Sequence, residues 1–145
     1  MDDFSQSVAV MLLPTWTEWS TLKLPHLTLV YVGEIPNLSN TVRGELMREA
    51  QRISVQQAVL ALDVTGRDVF GDEHKVDVLT FPLTPALARA RMRLERFNAS
   101  QYPFKPHATV GPQGSILNVP YTNRITFDRI AVGWGEDRTV YRLLS

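Results

Sequence analysis

Hydrophobic residues along this chain fall into short runs broken by Pro, Gly and polar clusters, with two longer stretches at helical spacing. Ser7 to Leu13 is rich in Val and Leu and is stopped by Pro14, so it predicts a buried strand. From Pro25 to Gly33 the pattern alternates: His26, Thr28 and Val30 share one face, and Leu27, Leu29 and Tyr31 share the other. Gly33 and Pro36 end that run. Val42, Leu46, Ala50 and Ile53 recur at helical spacing from about Ser39 to Ile53, which leaves Arg43, Glu45, Arg48 and Glu49 to a solvated face. Gln57 to Thr65 reads as a strand, Gly66 to Glu73 as a turn-rich connection, and Val76 to Phe81 as the returning strand of a hairpin.

Thr84-Pro85 marks a second helix start, with Thr capping free amides and Pro in the first helical position. Its buried side is Leu87, Ala90 or Arg91, Leu94 and Phe97, ending near Asn98. Gln101 to Phe104 leads into a strand closed by Gly111 and Pro112, and a loop follows from Gln113 to Asn123. Arg124 to Trp134 and Arg138 to Leu144 form a final hairpin around Gly135-Glu136-Asp137.

At 145 residues and 44% hydrophobic content the chain can bury a substantial core, and one compact unit with two lobes is expected. Fifteen basic residues balance fifteen acidic ones, so no long nucleic acid is expected as a partner, whereas a small anionic ligand stays open. The absence of Cys removes disulfides and thiolate metal sites. The start, Met1-Asp2-Asp3-Phe4, is acidic, and the apolar run Val8 to Leu13 is far too short to span a bilayer, so a cytoplasmic protein without a membrane partner is expected. Oligomeric state is not readable.

The chemistry that changes this picture is a repeat. Pro25-His26-Leu27-Thr28-Leu29 is echoed by Lys105-Pro106-His107-Ala108-Thr109-Val110-Gly111. With three His in the chain, two followed by Thr at the second position arise in roughly 2% of shuffled sequences. On an extended strand each unit presents an imidazole and a hydroxyl to one surface. Two imidazoles on opposite sides of one phosphorus supply the base and the acid that a phosphodiester needs. Thr28 and Thr109 then donate to the non-bridging oxygens, and this scheme requires no metal and no cofactor.

The two motifs, with Tyr31, Gly33, Phe104 and Lys105 around them, resemble the 2H phosphoesterases, a family named for paired His-x-Thr or His-x-Ser units. The resemblance implies a bilobal α+β fold with pseudo-twofold symmetry, antiparallel sheets with outer helices, and one motif strand from each lobe at a central cleft. It implies catalytic roles for His26, Thr28, His107 and Thr109. It also implies a small nucleotide or short oligonucleotide substrate: a 2′,3′-cyclic phosphate, a 2′-5′ linkage or a cyclic oligonucleotide signal. Val110 and Gly111 stand where Leu and a basic residue are common in relatives, which bears on substrate contacts.

Other residues carry two readings each. Lys105 is either a further phosphate contact or an ordinary surface Lys; Tyr102, Phe70, Trp16 and Trp19 either stack a base or pack, the two Trp as a hydrophobic plug. His74 with Asp72 and Asp77 is either a metal site or a solvated turn, and Arg89, Arg91, Arg93 and Arg96 are either a phosphate-attracting face or a solvated one. The whole arrangement is alternatively a non-catalytic module that captures and sequesters a nucleotide.

Overall fold

The computed structural model describes residues 5–145, so the acidic stretch Met1 to Phe4 lies outside the described residues. Eight strands form one antiparallel sheet in the order β3-β7-β1-β2-β6-β5-β4, with β8 also pairing β7. They are β1 (Ser7–Pro14), β2 (Leu27–Glu34), β3 (Leu60–Asp63), β4 (Gly66–Phe70), β5 (Val76–Thr80), β6 (His107–Pro112), β7 (Arg124–Trp134) and β8 (Asp137–Arg142). Among the described residues two α-helices, α1 (Asn40–Gln56) and α2 (Pro85–Arg93), complete the α+β fold.

Local signals set the helices. Ser39 caps α1 by accepting from the Val42 amide, and Thr84 caps α2 by accepting from the Leu87 amide ahead of Pro85. Leu46, Ala50 and Ile53 of α1 and Leu87 and Ala90 of α2 are buried in the same core as Leu12, Leu27, Leu79, Ala108 and Ile130. Both helices therefore dock on one face of the sheet. Glu49, expected on the solvated face, is buried on α1 and bonded by Arg52. Among the described residues no helix is long and apolar enough to cross a membrane.

The sheet consists of two halves. β3, β7, β8, β1 and β2 make one, β6, β5 and β4 the other, and β2 meets β6 at the single registered pair Leu27↔Ala108. Beyond that pair the strands part, and the loop between β1 and β2 fills the gap. The Thr21 amide donates to Val110 O at 2.7 Å, and Ser20 Oγ donates to Thr109 O and Val110 O at 3.0 Å each. This close approach explains Gly111: a Cβ there would lie 2.7 Å from Ser115 Oγ and closer still to Thr21 Oγ1.

Three expectations are corrected. Gly66 to Phe70 is not a connection but strand β4, and the hairpin is β4–β5, because β3 pairs β7 instead. β2 does not alternate throughout: Met11 pairs Thr28 while Val10 pairs Val30, so Leu29 is an extra residue and a bulge shifts the phase. Val30 is consequently buried and Tyr31 emerges on the face of Thr28. β6 carries the same irregularity, Val78 pairing Thr109 and Asp77 pairing Gly111, so each motif strand is bulged one residue after its Thr.

Asp77 leaves the proposed turn cluster with His74 and Asp72. It is buried, and its Oδ2 accepts from the amides of Gly114 (2.8 Å) and Ile116 (3.1 Å), tying down the loop after β6. His74 stays exposed. Asp77→Ala leaves two amides without their acceptor, and urea unfolding should show a loss of about 2–3 kcal/mol; an unchanged midpoint would refute this role.

Candidate active site

The Leu27↔Ala108 pair builds the site. Both side chains are buried in the core, so the residues flanking each must point the other way. Antiparallel register then sets His26 beside Thr109 and Thr28 beside His107. Four half-buried polar side chains share one face, with the two imidazoles on a diagonal. Diagonal neighbours across paired strands have Cα atoms about 7–8 Å apart and side chains that can both reach a group placed between them.

Each imidazole is fixed in the same way. Nδ1 of His26 lies 2.8 Å from Leu24 O, and Nδ1 of His107 lies 2.6 Å from Lys105 O. A carbonyl only accepts, so Nδ1 carries the proton and Nε2 is the nitrogen left to exchange one. Pro25 and Pro106, both buried, precede the two His and hold the approach to each strand extended. The Phe70 ring meets His107 edge-on, with centroids 4.7 Å apart and planes at 64°.

The environment of His26 is electrically distinct. Burial is the leading cause that pushes its pKa below the ordinary 6.5; the bond to Leu24 O opposes this, and the charges of Arg138 and His107 add to the lowering. His26 is accordingly neutral at neutral pH, with the His107 imidazole close enough to repel its charged form.

A cavity of about 600 Å³ opens beside this quartet on the Thr28 and His107 side. Its walls come from the tip of the β4–β5 hairpin, including Phe70, and from the segment before β6, including Tyr102, Phe104 and Lys105. Three of the four expected substrate contacts, Lys105, Tyr102 and Phe70, therefore line one cavity. The fourth is a correction. Trp19 is fully buried, its Nε1 donating to Trp16 O at 2.6 Å, so it is the hydrophobic plug and offers no face to a base.

Two further lining residues escaped the sequence reading. Tyr31 reaches the cavity because of the β2 bulge, and its hydroxyl donates to Glu34 Oε1 at 3.1 Å. Arg91, grouped with a solvated arginine face, instead lies over the Phe104 ring at 5.1 Å, bonds Glu95, and lines the cavity with its Nε buried and unpartnered. The helical spacing that left position 90 or 91 inside was the available signal.

No protein-family model and no curated protein matches the sequence. Solved structures match the fold. Usb1 of Kluyveromyces marxianus superposes with a TM-score of 0.67 at 8% identity, covering 96% of this chain and 99% of that one. TT0787 of Thermus thermophilus gives 0.64 at 16% identity, over 94% and 97%. E. coli LigT, solved with 3′-AMP, gives 0.57 at 17% identity, over 97% and 99%. The chain thus has the fold of these neighbours over nearly its full length.

Because folded His26 resists protonation, its contribution to stability is complete above pH 6.5 and is lost as pH falls through the window between 6.5 and its lowered folded value. NMR titration should place the His26 midpoint below 6.5, and Arg138→Ala should raise it part of the way back, burial being the larger cause. A midpoint at or above 6.5 in the wild type would contradict the account.

Proposed function

We propose that this protein is a metal-independent phosphodiesterase that cleaves a small RNA-type phosphodiester by two-histidine acid/base catalysis. The carrying observation is the Leu27↔Ala108 register, which gathers two Nδ1-anchored imidazoles and two hydroxyls on one face. Neutral His26 takes the proton from the attacking oxygen through Nε2. The new P–O bond forms as the bond to the departing ribose oxygen breaks, and His107 gives that oxygen its proton. Thr28 and Thr109 donate to the two non-bridging oxygens, where charge grows. Solvent exchange afterwards restores the proton on His107 and removes the one on His26.

The cavity supports a nucleoside on the His107 side of the phosphorus. Tyr102 is 73% exposed and free to close on a base, with Phe70 and Phe104 as the other aromatic walls and Lys105 at the rim near the ribose and phosphate. The ligands of fold neighbours are of this class: LigT has been solved with 3′-AMP and Usb1 with uridine monophosphate. A 2′,3′-cyclic phosphate, a 2′-5′ linkage and a cyclic oligonucleotide all fit this reading, since none needs the excess basic charge that long nucleic acid would call for and that this chain lacks.

Incubation with a panel of these substrates, read by mass and phosphorus resonance, tests the reading. His26→Ala and His107→Ala should each lower kcat/KM by about 10²–10⁴-fold with the fold intact, the usual scale for a positioned acid or base. A chelator should leave the rate unchanged, and the pH profile should be bell-shaped. Recovery of every ligand intact after long incubation with the wild type would instead favour a nucleotide-sequestering module. Tyr102→Ala should raise KM by about tenfold with kcat near the wild-type value, as loss of one stacking face predicts; an unchanged KM would remove Tyr102 from the substrate site.

A further inference from the structure

Arg91 reaches the cavity from the layer opposite the motifs. β2 and β6 share one registered pair, and past it, on the His107 side, the cavity occupies the gap between residues 29–31 and residues 103–105. The helix α2 packs against β2 from the other face of the sheet. Its Arg91 nevertheless lines the same cavity as Thr28 and His107.

The guanidinium is held in place but not used up. It lies over the Phe104 ring at 5.1 Å, Nη1 donates to Glu95 Oε2, and the side chain is 11% exposed. Nε is buried without a hydrogen-bond partner, and among the described residues Nη2 has none either. Nε–H and the nearer Nη2–H run parallel along one edge of the planar group, so the unpartnered pair is a fork of fixed spacing. A buried N–H without an acceptor is a cost that a bound ligand can remove.

What this fork lacks is a pair of acceptors rather than an anion, because the Glu95 carboxylate already offsets its charge. Neighbouring polar groups of the cavity are engaged: the Asn98 amide bonds the Ser100 backbone through both of its ends, and the Tyr31 hydroxyl donates to Glu34. The aromatic walls, Phe70, Tyr102 and Phe104, suit a flat ring. Guanine sets two acceptors, O6 and N7, side by side for such a fork. Adenine puts an amino group beside N7, uracil puts an N–H between its two carbonyls, and in cytosine one acceptor of the adjacent pair adjoins the ribose.

We infer that Arg91 is a specificity-determining residue that reads guanine in the cavity beside His107, with Nε and Nη2 donating to O6 and N7. This rests on the phosphodiester reading of the two motifs and deepens it. The favoured substrate carries a guanosine on the His107 side of the scissile phosphorus.

Calorimetry on the full chain with the 3′-monophosphates of guanosine, adenosine, cytidine, uridine and inosine tests this, since binding needs no turnover. Wild type should bind the guanosine nucleotide about tenfold more tightly than the adenosine one, as a bidentate contact to guanine predicts. Arg93→Ala, an exposed site on the same helix outside the cavity, should keep that ratio. Inosine, which retains O6 and N7 and lacks the 2-amino group, should match guanosine within about twofold. Arg91→Lys keeps a cation without the fork, so the guanosine preference should fall below about twofold while adenosine binding stays within about twofold of wild type. No binding to wild type, equal affinity for all bases, inosine binding like adenosine, or a preference that survives Arg91→Lys or is lost equally in Arg93→Ala would overturn the assignment. So would an equal loss for every base in Arg91→Lys, which would make Arg91 a contact to the shared phosphate. Turnover of the four 2′,3′-cyclic mononucleotides, measured beside it, reads the catalytic proposal separately: its absence in wild type would sink that proposal while the binding ratios still decide Arg91.

Discussion

One backbone pairing, Leu27 against Ala108, is the constraint on which the rest of this structure depends. It is the point at which two halves of a sheet touch, and both residues are held in the core. Because side chains alternate along a strand, burying that pair turns out the residues on either side of it. A slip of one residue on either strand would send an imidazole and a hydroxyl into the core and bring an apolar side chain out, a change that apolar packing opposes strongly. The core thus fixes the positions of the polar groups. The bulges at Leu29 and Val110 then release both strands from strict alternation immediately after each Thr. That lets β2 present Tyr31 to the cavity and lets the loop carrying Ser20 and Thr21 close over β6.

The two sides of this pairing are chemically unlike even though the motifs repeat. On the His107 side are a concave cavity, aromatic walls and an edge-on Phe70. On the His26 side burial, helped by the charges of Arg138 and His107, disfavours protonation of the imidazole. The symmetry of the backbone supplies two equivalently anchored imidazoles, and the asymmetry of their surroundings sets His26 apart electrostatically. In the proposed reaction this asymmetry suits His26 to be the base and His107 the acid, a division of labour that neither motif encodes alone.

Much of this was legible in the sequence, for identifiable reasons. The His-x-Thr repeat announces itself because alternation on a strand is a local rule, and the helices because Ser39 and Thr84-Pro85 are local signals. What escaped was non-local. The pairing of β3 with β7 rather than with β5 is decided by the returning C-terminal hairpin, about sixty positions away. The Gly66 to Phe70 segment is mostly exposed and so lacked the apolar pattern of a strand. Tyr31 changed face because a bulge breaks period two, and Asp77 looked like a turn residue because its partners, the Gly114 and Ile116 amides, lie far along the chain. Trp19 was readable both ways, and its indole N–H satisfied by Trp16 O settled it as packing.

The central claim is that the two imidazoles address one and the same phosphorus group. Titrating the protein with a nucleoside monophosphate while following the Cε1–H resonances of His26 and His107 tests it most directly. The account predicts that both resonances shift along a single saturation curve with one dissociation constant, while His74, exposed at the β4–β5 tip, stays in place. Movement of one motif histidine without the other, or two curves with separate constants, would contradict it.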